Sequence, residues 1–218
     1  MEDIGIKVLE KTAVNQLTKL TGNAFEWISG LLKEKKVNPS AMDPVYLDMS
    51  RCKALIAFVS SGRAGPLETA ARYAIDFHYR GRDGESKTNR LQHVWLIHTP
   101  RSEADARQLR AYLEDKSIQC ALVALDENRD IDNAKCIKDK IDGILAGIEQ
   151  YDIPLNEVAI DITGGSISVS IGMLSACMTY GGLQLQLMVV DDQDKGPDGR
   201  PREGARTLPR KIELQYQR

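Results

Sequence analysis

From Ala54 to Val190 short apolar runs of strand length alternate with stretches whose apolar residues recur at helical spacing, and this alternation restricts the fold more than any other feature of the chain. ALIAFVSS (54–61) is continuously apolar up to its serines, as a strand covered on both faces requires. SGRAGP follows, with Pro66 at a position that suits a first helical residue. LETAARYAIDFHYR (67–80) then continues at helical spacing. His93 to His98 reads as a second strand, residues 102–116 as a helix with Ser102 and Asp105 at capping-box spacing, and residues 120–125 as a third strand. A helical stretch over 131–150 leads to the strand in EVAIDI (157–162). Residues 166–180 form the next helix, with Gly181 and Gly182 as its C-cap. LQLQLMVV (183–190) closes the series, its first half alternating as at a partly exposed sheet position. The pattern implies an α/β, Rossmann-like domain: a mainly parallel sheet with right-handed crossovers and helices on both faces.

The flanks are less regular. Between Ile4 and Lys35 apolar residues recur at roughly helical spacing with a break near Thr21 and Gly22, which gives two short amphipathic helices. They would pack on the main domain or a second copy, or link it to an upstream unit. Residues 36–50, with Pro39 and Pro44, read as a connecting loop. The expected organisation is therefore an N-terminal helical extension and linker over 1–50 and a Rossmann-like domain over 51–218. Residues 191–208 are a polar loop rich in glycine and proline. Lys211 to Tyr216 alternate like a last, edge strand in a hairpin with the preceding one.

A formal net charge of −2 over 218 residues gives no global attraction to nucleic acid or to a membrane surface, so any anion site must be local. No direct DNA binding is evident and no apolar run is long enough to span a membrane. The four cysteines, Cys52, Cys120, Cys136 and Cys177, have no CxxC spacing and suit small buried hydrophobes in a cytoplasmic protein.

In a parallel α/β sheet ligands bind at the C-terminal ends of the strands, and that rim gathers SSGRAG, HTPRS, LDENRD, DITGGS and VDDQD. Two of these loops suit a phosphate. SSGR places Ser60, Ser61, Gly62 and Arg63 after one strand. In DITGGSIS, Asp161 and Thr163 precede the glycine pair Gly164 and Gly165, while Ser166 and Ser168 open a helix whose N-terminal N–H groups attract anions. An ordinary strand-to-helix turn would use the same glycines. Arg63 either grips a phosphate or is a solvated loop arginine. Thr99 and Arg101 also follow a strand directly, and Arg101 either contacts ligand or closes its loop. Arg80, Arg82, Lys87 and Arg90, with His78, form a basic cluster that strand direction puts opposite the rim. Neither phosphate loop matches GxxxxGK[ST] or GxGxxG, and the chain holds no GxSxG elbow and no HExxH helix. Of the three histidines only His98 is placed to approach the rim. The expectation is a binding site with no catalytic set, no metal and no cofactor.

DITGGSISVS, preceded by a run of βα units and a strand ending SSGR, resembles the CARF domain, the CRISPR-associated Rossmann fold, in which a D-x-T-G-G-T-K-x-M-like segment is typical. Asp161, Thr163, Gly164 and Gly165 match it. Ser166 replaces the usual threonine and Ile167 stands where lysine is common. The resemblance covers roughly residues 53–190. It implies a homodimer whose paired rims bind a cyclic oligoadenylate, the second messenger of type III CRISPR immunity, and relay it to an effector, with cyclic tetra-adenylate as the expected ring. Ser60, Ser61, Gly62, Arg63 and the loop from Thr163 to Ser168 would then line the pocket, with Thr99 and Arg101 nearby. Some members also cut the ring, and the loss of the motif lysine to Ile167 counts against that here. The effector would be a missing domain or a separate partner, or the chain acts alone. A stand-alone ring nuclease and a mononucleotide-binding Rossmann-like protein unrelated to CRISPR are the alternatives.

Overall fold

A computed structural model describes residues 42–60, 69–81, 89–127, 129–190 and 207–216. The two helices expected between Ile4 and Lys35 lie outside the described residues.

Among the described residues seven strands form one sheet in the order β1-β7-β6-β5-β2-β3-β4. They are β1 Met42–Asp48, β2 Ala54–Val59, β3 His93–His98, β4 Gln119–Ala124, β5 Val158–Asp161, β6 Gln184–Val190 and β7 Thr207–Tyr216. The body from β6 to β4 is parallel, while β7 pairs antiparallel with both β6 and β1. The helices are α1 Ala70–Arg80, α2 Glu103–Glu114, α3 Ala134–Ile148 and α4 Ile167–Thr179.

β2 shows why the fold forms. All six of its residues are buried, and their alternation divides them between two cores. Leu55, Ala57 and Val59 pack with Ala71, Ala74 and Ile75 of α1 and Leu109 and Leu113 of α2. Ala54, Ile56 and Phe58 meet Ile137, Ile141 and Leu145 of α3 and Val169 and Met173 of α4 on the other face. The α/β, Rossmann-like architecture read from the sequence is thus present, with helices on both faces. α3 and α4 approach closely at Gly172, where a Cβ would stand 2.7 Å from the Ile137 side chain and 2.8 Å from the Ala134 carbonyl oxygen.

Several local readings change. Residues 36–50 are not loop throughout, because β1 occupies 42–48 and extends the sheet across the 50/51 boundary. Pro44 is compatible with this strand because β1 lies at the sheet's edge, where one side needs no donor. The last strand is not an edge, since β1 covers it. Pro209 lies just beyond Arg210, the last residue of β7 to pair with β1. α1 opens at Ala70 on the Thr69 hydroxyl, which accepts from the Arg72 N–H at 3.4 Å, while Pro66 lies outside the described residues. The Ser102–Asp105 capping box does not form. Ser102 instead belongs to a 3-10 turn after β3, where its hydroxyl accepts the Thr99 N–H at 3.1 Å.

Candidate functional site

The chain leaves β2 for β3 and β4 on one side, then returns to place β5 on the other side of β2. Connections diverge above this strand pair, so a crevice opens there, and such a switch point is where parallel α/β sheets bind ligands. A cavity of about 600 Å³ lies at that place, within the range of about 300–1,000 Å³ usual for ligand sites. Ser60 reaches it from β2, Thr99, Arg101 and Ser102 from β3, and Gly165, Ser166 and Val169 from the turn into α4. Phe58, Val59 and Ile131 add apolar wall, and Glu127 stands at the edge.

Five residues singled out in the sequence therefore meet in one cavity: Ser60, Thr99, Arg101, Gly165 and Ser166. Thr163, Gly164 and Ser168 belong to the same loop and helix start without lining the cavity, and Asp161 lies beneath it. Ser61, Gly62 and Arg63 fall outside the described residues. Ser102 and Glu127 belong to rim segments legible in the sequence, although nothing in it marked Glu127 individually. Phe58, Val59, Ile131 and Val169 read only as core.

The glycine loop is built from beneath. Asp161 is 2% exposed, and one carboxylate oxygen accepts the Thr163 N–H at 2.7 Å while the other accepts the Gln186 side-chain amide at 2.9 Å. Burial pushes this carboxyl above its ordinary pKa, and those hydrogen bonds pull the other way. The Thr163 hydroxyl accepts the Met188 N–H at 2.7 Å, tying the loop to β6. Gly164 lies against the chain, its hypothetical Cβ 3.0 Å from the Phe58 carbonyl oxygen. Gly165 holds φ at +94°, which glycine alone adopts readily.

Ser166 caps α4. Its hydroxyl accepts the Val169 N–H at 3.4 Å and donates to the Ile131 carbonyl at 3.0 Å, so it fastens two rim loops together. The N–H groups of Ile167 and Ser168, in the first turn, have no acceptor within the helix and leave a positive end at the cavity. Ile167 itself packs on the cluster containing Ile171 and Leu174. Across the opening Arg101, largely exposed, pairs with the partly exposed Glu127 at 3.0 Å, which offsets its charge toward an incoming anion.

No histidine lines the cavity. His98 is buried and its Nδ1 donates to the Thr99 carbonyl at 3.1 Å. His78 is fully buried rather than part of a basic cluster. Arg90 pairs with Glu157, just ahead of β5 and so opposite the rim as expected, while Arg82 and Lys87 lie outside the described residues. Burial raises Cys52, Cys120 and Cys177 to about 12, which leaves them poor nucleophiles. Among the described residues no group of three or more His, Cys, Asp or Glu could hold a metal, and no helix is long and apolar enough to cross a membrane.

No family model and no curated protein matches the chain. Among solved structures it is similar to a type III CRISPR defence DNA nuclease activated by cyclic oligoadenylate (18% identity, TM-score 0.47, covering 68% of this chain and 20% of that one). It is also similar to Can2 from Sulfobacillus thermosulfidooxidans in complex with cyclic tetra-adenylate (12% identity, TM-score 0.43, 66% of this chain and 34% of that one). A third is Enterococcus italicus Csm6 bound to cyclic hexa-2'-fluoro-hexa-dAMP (13% identity, TM-score 0.46, 63% of this chain and 33% of that one). The chain thus aligns with between 20% and 34% of each of these longer proteins.

Proposed function

We propose that this chain is a CARF-type sensor: two copies pair their rims, bind one cyclic oligoadenylate ring, cyclic tetra-adenylate in the first instance, and pass the rearrangement to an effector. The observation that carries the reading is the meeting of Gly165 and Ser166 with Ser60 and Thr99 around one cavity at the switch point. In support of it, Asp161 accepts the Thr163 N–H and so holds the backbone that leads into the glycine pair. N–H groups at the start of α4 and the hydroxyls of Ser60 and Thr99 would receive phosphate oxygens, and Phe58, Ile131 and Val169 would give an adenine an apolar floor. A ring with repeated phosphates has its own symmetry. A two-fold cleft meets it with one set of residues used twice.

Ile167 supports recognition rather than cleavage. It occupies the motif's lysine position and packs into the protein, so that position offers the ring no cation.

Melting curves with cyclic tetra-adenylate, cyclic hexa-adenylate and AMP test the reading. A cyclic ring at a hundred times its Kd stabilises the folded state by about 2.7 kcal/mol, while AMP at equal concentration gives far less. If neither ring raises the melting temperature, the mononucleotide reading takes its place. Linear products appearing with turnover would make the protein a ring nuclease.

A further inference from the structure

Below the glycine loop a line of buried polar groups crosses the domain. Cys52, ahead of β2, donates its backbone N–H to Nδ1 of His78 on α1 at 3.0 Å. Nδ1 must therefore carry a lone pair, which puts the ring proton on Nε2. That nitrogen donates to Oε1 of Gln186 on β6 at 2.8 Å. The orientation of the Gln186 amide is fixed in turn: its Nε2 faces Asp161 Oδ2 at 2.9 Å, and Asp161 Oδ1 accepts the Thr163 N–H at 2.7 Å. Reversing the amide would set donor against donor at His78 and acceptor against carboxylate at Asp161. His78 and Gln186 are 0% exposed and Asp161 2%, so bulk water cannot stand in for a missing link.

We infer that His78 and Gln186 are positioning residues for the glycine loop, the inner links of a hydrogen-bonded chain whose donors all point toward the Asp161 carboxylate and which fixes the Thr163 backbone from the opposite end of the sheet. Neither residue reaches the cavity. They act by holding the Asp161 carboxylate in one place, and so the backbone that leads into Gly164 and Gly165. Only the consequence for ligand affinity rests on the sensor reading; the chain itself is a property of the free protein.

An exchange of partners distinguishes this from simple packing. Asp161→Asn alone leaves one amide donor facing another, and Gln186→Glu alone sets two carboxyl groups together. In the double variant D161N/Q186E the middle link reverses but every donor again meets an acceptor: His78 Nε2–H to Glu, Asn N–H to Glu, Thr163 N–H to the Asn oxygen. Gln186→Met, of similar volume and without an amide, removes one link and keeps the core filled.

The readout is the Thr163 backbone amide in nitrogen–proton correlation spectra of the unliganded protein, with its hydrogen-exchange rate. Each single variant should move that resonance and speed its exchange roughly tenfold, and the double variant should bring both back toward wild type. A Thr163 amide unmoved in a folded Gln186→Met protein, or a double variant no closer to wild type than the singles, overturns the inference. If the acidic variant does not fold, Gln186→Met decides alone. Titration with cyclic tetra-adenylate then separates the two levels: wild type that fails to bind sinks the sensor reading and leaves the amide result standing. Binding by wild type with unchanged affinity in Gln186→Met would deny the chain any part in recognition.

Discussion

A Cβ built on Gly165 would stand 2.8 Å from the Cβ of Val169, at the start of α4, while the glycine holds φ at +94°. Both the space and the backbone angle therefore demand glycine before any ligand arrives. Gly165→Ala should lower stability by about 1–3 kcal/mol in urea denaturation and weaken ligand binding as well. A valine there distorts the loop by itself, so loss of binding at Gly165 does not identify a ligand contact. Ser60→Ala is a cleaner probe.

Ser166 performs two tasks with one hydroxyl, capping α4 and bonding the Ile131 carbonyl. Ser166→Ala should cost about 0.5–2 kcal/mol, by the loss of a cap. Ser166→Thr should recover most of it. Chemical denaturation of the three proteins checks this, with equal stability of Ala and wild type as the contrary result.

Arg101 and Glu127 pair across the cavity mouth with most of the arginine in solvent. Such a pair stabilises the fold by about 0–1 kcal/mol, so Arg101→Ala and Glu127→Gln should leave melting nearly unchanged. Their effects on binding should diverge. Removing the arginine weakens affinity for a polyphosphate ring, and removing the glutamate strengthens it, both more at low salt. Titrations at two ionic strengths distinguish these signs.

Burial lowers His78 from 6.5 to about 4, with Arg51 acting in the same direction and the Gln186 hydrogen bond against it. The unfolded chain takes up the proton first as pH falls. The stability this neutral imidazole protects is full above about pH 6.5 and is lost toward pH 4, to the extent of about 3 kcal/mol. Asp161, whose carboxyl is shifted upward, works in the opposite sense: its contribution is greatest in acid and declines as pH rises through its folded pKa. Comparing urea midpoints of wild type and His78→Gln between pH 7 and 4.5 isolates the histidine. The gap between the two should narrow as pH falls, and a constant gap would contradict the assignment.

The strands of the parallel body were legible because each is short, apolar and followed by a helical stretch, and the rim followed from strand direction. What the sequence hid depends on pairing across the sheet. Gln186 sits in LQLQL, where alternation marks it as facing solvent, yet α1 covers that face and His78 and Asp161 satisfy its amide. His78 stands among arginines in the sequence and reads as one more cation, but packing of α1 turns it inward. β1 escaped because Pro44 argues against a strand until its edge position is known. Glu127 carried no motif, and only the fold brings it to within 3.0 Å of Arg101.

Calorimetric titration of the protein with cyclic tetra-adenylate, run beside a measurement of its molar mass in solution, tests the central claim most directly. A dimer that takes up one ring for each pair of chains is expected, with affinity reduced by Ser60→Ala at unchanged melting temperature. A monomer at the titrated concentration, one ring for every chain, or no heat with any cyclic oligoadenylate would contradict it.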